Sequence, residues 1–218
     1  WVRVLYSYPS EITEDFLVWM LTSKHAVRYM DVPIQHTVPA VLEKMNRKRA
    51  IEQSRCAAEV LREVVPDVTV RTTVMTGFPG ETEAQFEELC DFCREAKFER
   101  MGVFPFSPEK GTRAASLPGQ IPAEVAEERA TRLMTRQIAR MRRMQKKRIG
   151  KTEKVLVDAV DNGIAWARGV EDAPEIDDLV LIDDHSGVCR PGEFAEVEII
   201  GTQSCDVVAR PVKQKRKH

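Results

Sequence analysis

The chain has 218 residues, 43% of them hydrophobic, enough to bury a core in one large domain or in one medium and one small domain. Its 33 Lys and Arg against 34 Asp and Glu leave a net charge of −1, which excludes a generally cationic nucleic-acid coat and confines charge-driven binding to local patches. The apolar runs are broken by charge well before the roughly 20 residues of a membrane span and no signal peptide opens the chain, so the expectation is a soluble, cytoplasmic protein with no membrane partner.

The first two thirds alternate strand and helix patterns. Residues 1–8 read as a buried strand entered directly at Trp1, which reads as a cut inside a larger protein. Thr13 opens a helix with Glu14 and Asp15 in its first turn. A strand over 27–34 follows, then helical patterns over 39–46 and 50–65 that end at Pro66-Asp67. Val68 to Met75 is a β-branched strand. Thr82-Glu-Ala-Gln85 is a capping box for a helix reaching about Lys97, and Arg100–Phe106 is a fourth strand leading into the loop 107–112. This order implies parallel strands with right-handed crossovers.

Residues 123–148 form a long helix, acidic at its start and basic at its end (Arg140, Arg142, Arg143, Lys146, Lys147, Arg148), a pattern that complements the helix dipole. Gly150 closes it, and the character of the chain changes. Five short strand patterns follow, with Asp161-Asn162-Gly163 as a hairpin turn, and together they suggest a small Greek-key barrel of the oligonucleotide-binding kind. The ending Lys213–His218 reads as a disordered basic tail. The organisation is thus an α/β part over 1–150, a β-barrel over 151–210 and a tail over 211–218.

Five cysteines, at 56, 90, 93, 189 and 205, form an odd set that suits no disulfide framework. Cys90 and Cys93 make a CxxC, but Phe86, Leu89, Cys90 and Cys93 fall on the buried stripe of a helix, and no second ligand pair stands nearby. They read as small buried hydrophobes, as does Cys56, and no metal ligands are assigned.

Chemistry is expected where strand parity turns polar. Met30, Val32 and Ile34 alternate with Asp31, Pro33 and Gln35; Val68, Val70 and Val74 alternate with Thr69, Arg71 and Thr73; Val2 and Val4 flank Arg3. If the apolar parity faces the helices, the other lines a polar interior that holds a ligand; the alternative is an open sheet with one solvated face. Thr76-Gly77-Phe78-Pro79-Gly80-Glu81-Thr82 follows a strand end, where ligands of parallel α/β folds bind, and its glycines and helix N–H donors suit close approach of a bound group. Taken alone it is equally a turn, and a lone His36 after Gln35 is more often structural.

In combination, Asp31-Val-Pro-Ile-Gln-His36, Met45-Asn-Arg47, Thr73–Thr82, Phe106–Thr112 with Ala114-Ala115, and Asp172-Ala-Pro-Glu-Ile-Asp177 resemble the radical S-adenosylmethionine methylthiotransferases. Within that group they resemble the RimO type, which modifies an aspartate β-carbon in the twelfth small-subunit ribosomal protein. The tRNA-modifying sister family usually has Gln-Ser-Gly-Ser where this chain has Gln35-His36-Thr37-Val38, and it lacks an Ala-Pro-Glu-Ile-Asp element. The tRNA isopentenyladenosine enzyme and a non-catalytic RNA- or ribosomal-protein-binding module are the competing readings.

The resemblance implies a partial parallel βα barrel of the radical SAM type, truncated at its N-terminus, followed by a TRAM barrel. It implies S-adenosylmethionine and two 4Fe–4S clusters in the full-length enzyme, with radical hydrogen abstraction and sulfur attachment. The CxxxCxxC that would hold the barrel's cluster is absent from this chain, so the piece alone is expected to be inactive, with binding roles only and no catalytic residue assigned. Met75 and Phe104 are candidates to pack on the adenine, Gly77 to give backbone access, and Gln35, His36, Arg71 and Thr73 to hold polar parts of cofactor or substrate; Arg71 equally suits a structural ion pair. Asp158, Asp161, Glu171, Asp172, Glu175, Asp177, Asp178, Asp183 and Asp184 read as an acidic surface of the TRAM barrel that steers a basic ribosomal protein and repels tRNA; the alternative is that they solubilise turns.

Overall fold

The structure is a computed structural model that describes residues 1–47 and 51–212, and only the backbone over 51–57. The readings of Cys56, of the first residue of the 50–65 helix and of the 213–218 tail lie outside the described residues. Two units divide at Gln137/Ile138, within one long helix.

In the first unit four parallel strands, β1 (Val2–Val4), β2 (Ala26–Asp31), β3 (Thr69–Thr76) and β4 (Arg100–Pro105), lie in the order β1-β2-β3-β4. The helices are α1 (Glu14–Thr22), α2 (Pro39–Lys44), α3 (Ile51–Val64), α4 (Glu83–Ala96) and the start of α5 (Ala123–Lys146). Local chemistry places their ends. Thr13 caps α1 by accepting the Phe16 amide, and Thr82 and Gln85 form both hydrogen bonds of the capping box of α4, a cap worth about 1 kcal/mol. The apolar parity packs as expected: Met30, Val70, Val74 and Met101 share one core with Met20, Leu61, Phe86, Leu89 and Leu133. Cys90 and Cys93 belong to that core, and burial pushes both thiols up, Cys90 to about 11.

Two strands are shorter than their hydrophobic patterns. β1 stops at Val4 because Tyr6 turns to a φ of +59°, where its amide donates to the Asp31 carboxylate. β2 stops at Asp31 because Pro33 has no N–H for the ladder. Pairing with β3 resumes only at Gln35, which bridges Val74.

The second unit holds the closed barrel β5-β6-β7-β9-β8, from β5 (Thr152–Asp161), β6 (Ile164–Arg168), β7 (Val180–Asp183), β8 (Phe194–Gln203) and β9 (Asp206–Pro211). Period-two alternation fills it with Val155 and Val157, Ala165 and Ala167, Val180 and Ile182, Val197 and Ile199, Val207 and Ala209. Asn162 and Gly163 have φ of +49° and +79°, the two left-handed residues a tight hairpin turn requires.

The acidic surface expected of this barrel is corrected in part. Asp172 and Asp184 are buried. Asp172 accepts the Gly169 amide and faces Arg148, whose guanidinium forks onto Glu153 at 2.7 and 3.1 Å. Asp184 accepts the Val188 and Cys189 amides at 2.9 and 2.8 Å. Asp158 is paired with Arg168, and Asp177 accepts the Ala173 amide. Asp172, Asp177 and Asp184 hold loops by accepting backbone amides that have no ladder partner, and Asp158 makes a cross-strand ion pair.

Candidate functional site

The register of β2, β3 and β4 brings their carboxyl ends together, and the three following loops surround a cleft of about 610 Å³, a size typical of small-molecule sites. Its floor is a small apolar cluster in which Phe78 and Phe106 meet edge to face at 5.2 Å beside Met45 and Met75. Its rim is polar: Lys44, Asn46 and Arg47 from the end of α2, and Ser107, Glu109, Thr112 and Arg113 from the loop after β4. Arg47 is held by the Pro33 carbonyl at 3.0 Å and stacks over the Tyr8 ring, and burial lowers its pKa.

Of the residues singled out from the sequence, Gln35 and Met75 line this cleft. Gln35 sits at a φ of +65°, pinned on both sides: its amide donates to the Thr73 carbonyl and its carbonyl accepts the Met75 amide, at 2.9 and 2.8 Å. A non-glycine residue held there costs on the order of 1 kcal/mol, which the two hydrogen bonds offset.

His36 is fully buried. Its Nδ1 accepts the Val38 amide at 3.0 Å, which places the ring proton on Nε2, and Nε2 has no hydrogen-bond partner among the described residues. Burial lowers the imidazole pKa to about 4, so the ring is a neutral donor at physiological pH.

Arg71 and Thr73 occupy the polar face of the sheet. Arg71 Nη1 lies 3.2 Å from the fully buried Asp31 carboxylate and 3.3 Å from Thr73 Oγ1, so the ion-pair reading of Arg71 holds. That face is closed around Tyr29 and Asp31 and open around β4, where Phe104 is 54% exposed beside Gly102.

Gly77 has a packing reason of its own. Its φ is +74°, and a Cβ there would stand 2.2 Å from the Ala126 Cβ of α5. The loop's own amides are engaged within it: the Gly77 and Phe78 amides both donate to the Glu81 carboxylate. Burial raises the Glu81 pKa, with Arg129 and the two amides pulling the other way. No individual role is expected from the sequence for Phe78, Phe106, Lys44 or Arg113: Phe78 and Phe106 lie inside the Thr73–Thr82 and Phe106–Thr112 motifs, and Lys44 and Arg113 flank the Met45-Asn-Arg47 and Phe106–Thr112 motifs.

The residues present do not fit an iron–sulfur cluster. Among the described residues no three Cys, His or acidic side chains converge, and Cys90 and Cys93 are core residues. S-adenosylmethionine fits better, because the cleft pairs an apolar floor with a polar rim; the His36 donor is buried outside that lining.

A model of the Radical SAM superfamily matches residues 8–93, and a TRAM domain model matches residues 149–212. The chain is 41% identical over 211 residues to a protein of Cupriavidus necator named ribosomal protein uS12 methylthiotransferase RimO, covering 95% of this chain and 47% of that one. The chain is a homologue of the RimO proteins. The RimO proteins of Hydrogenovibrio crunogenus and Pelotomaculum thermopropionicum are 42% and 41% identical over 97% of this chain. This RimO homologue spans about half the length of the curated relatives it matches. Coproporphyrinogen III oxidase (HemN) from Escherichia coli, a radical SAM enzyme, shares the fold with a TM-score of 0.53 at 13% identity, over 77% of this chain and 44% of that one. The fold is therefore a parallel radical SAM-type sheet followed by a TRAM-type barrel.

Proposed function

We propose that this chain is the cofactor- and substrate-binding part of a methylthiotransferase that modifies an aspartate β-carbon of ribosomal protein uS12, with residues 1–150 as the barrel part and 151–210 as the TRAM barrel. The observation that carries the reading is the 41% identity to proteins of that name, which runs through both the radical SAM and the TRAM segments. S-adenosylmethionine, when bound, supplies the hydrogen-abstracting and methyl-donating chemistry.

The chain's own share of the reaction is binding and orientation. Met75, Phe78 and Phe106 give the cleft a dry floor on which an adenine packs, and Gln35 presents its amide from a backbone that cannot swing. The His36 Nε2–H and the Thr73 hydroxyl are the neutral polar partners, while Asp31 holds Arg71 in place on the same sheet. Phe104, exposed on the open part of that face, is a second aromatic surface. Loop glycines, Gly77 above all, let α5 approach the strand end and so fix the cleft wall. The TRAM barrel contacts the ribosomal protein, with Asp161 and Asp183 at strand ends and Glu175 in a loop as exposed acids.

Titration of S-adenosylhomocysteine onto the isotope-labelled chain tests the site. The expected result is saturable shifts of the Met75 methyl and the Gln35 side-chain amide with the Trp166 indole unmoved. Shifts confined to the barrel, or none, would refute it.

A further inference from the structure

Two cations at the mouth of the cleft, Lys44 and Arg113, make no ion pair among the described residues. Lys44 ends α2, and Arg113 stands just before the one-turn 3-10 helix Ala114–Ser116. Both line the cleft and are exposed, and neither makes an ion pair or a side-chain hydrogen bond among the described residues. Other arginines of this unit are engaged: Arg47 on the Pro33 carbonyl, Arg71 on Asp31, Arg129 and Arg132 on Glu83. The Lys44 ammonium passes beside the Gly80 backbone, 2.5 Å from where a Cβ of Gly80 would stand, which puts it on the loop after β3. Glu109 lines the same cleft with Ser107 as its hydrogen-bond donor. A phosphate dianion would meet that carboxylate as a repulsion, whereas a single carboxylate with a cation beside it would satisfy all three groups.

We propose that Lys44 and Arg113 form a carboxylate receptor at the cleft mouth, with Glu109 receiving a cationic group carried next to that carboxylate. The proposal rests on the methylthiotransferase reading, which offers two sources of this chemistry: the target aspartate of a basic protein, and the amino-acid end of S-adenosylmethionine. An exposed cation contributes about fivefold in affinity to such a contact.

The test uses the whole chain, its Lys44→Gln and Arg113→Gln variants, and Lys110→Gln as a control for total charge, since Lys110 is exposed outside the cleft. Three probes are titrated at fixed ionic strength: a basic peptide with one aspartate, its asparagine twin, and S-adenosylhomocysteine. The expected result is that the chain prefers the aspartate peptide and that each cleft variant, but not the control, loses about fivefold for it and nothing for the twin. Loss confined to S-adenosylhomocysteine supports the receptor and assigns the carboxylate to the cofactor. Variants that bind all three probes like the parent overturn the receptor while leaving the cofactor site standing. A parent chain that binds neither the aspartate peptide nor S-adenosylhomocysteine overturns both the receptor and the reading beneath it.

Discussion

Gly77→Ala is a small change with a large expected effect. Two costs add. The φ of +74° is a left-handed conformation, at about 1–2 kcal/mol for a residue with a Cβ. The new methyl would also stand 2.2 Å from the Ala126 Cβ and 2.9 Å from its Cα, both on a helix that cannot flex like a side-chain tip, and overpacking of that kind costs about 1–3 kcal/mol. The total is about 2–5 kcal/mol. Gly111→Ala separates the parts, because Gly111 has a φ of +88° and nothing within 4 Å of its Cβ position; it should cost about 1–2 kcal/mol. Urea denaturation followed through amide exchange of β3 reports on this unit alone. Pairing Gly77→Ala with Ala126→Gly should recover part of the loss, giving a coupling of about 1 kcal/mol or more. Equal destabilisation by Gly77→Ala and Gly111→Ala, with no coupling to position 126, would show that α5 does not rest on this glycine.

His36 should remain neutral between pH 5 and 8 in an imidazole NMR titration. Its pKa is lowered from 6.5 to about 4, so the stability it contributes, about 3 kcal/mol, is present above pH 6.5 and lost as pH falls through 4; a titration midpoint near 6.5 would contradict its burial. Arg148→Met removes the guanidinium that faces Glu153 and the buried Asp172 and should cost the barrel about 3–5 kcal/mol in thermal unfolding, whereas breaking the Arg168–Asp158 pair should cost no more than about 1 kcal/mol. Similar losses for the two would refute the contrast. Thr82→Ala should cost about 1 kcal/mol by removing the capping box, measured in the same β3 exchange experiment.

Features set by neighbouring residues were legible in the sequence. Thr82 and Gln85 cap α4 and Asn162-Gly163 turns a hairpin because the partners lie within a few positions. The alternating strands of both units were legible for the same reason, since period-two burial needs only local spacing. The cleft was legible only in part. Gln35 and Met75 could be placed from polar parity and strand ends, but Lys44 at the end of α2, Phe78 in the loop after β3, and Phe106 and Arg113 in the loop after β4 meet only after the parallel sheet has formed. A glycine in sequence does not say what approaches it, so Gly77 suited a cofactor as well as Ala126. An acid in a loop does not show whether it faces water: Asp172 and Asp184 are buried because Arg148 and a run of backbone amides satisfy them, partners invisible to composition.

The most direct test of the proposed function is the intact mass of ribosomal protein uS12 from cells in which the gene encoding this chain is disrupted, compared with the parent strain. The account predicts that uS12 loses one methylthio group, with the modified residue mapped by fragmentation to an aspartate. Retention of the group on uS12, with a methylthio group lost from tRNA instead, would contradict it.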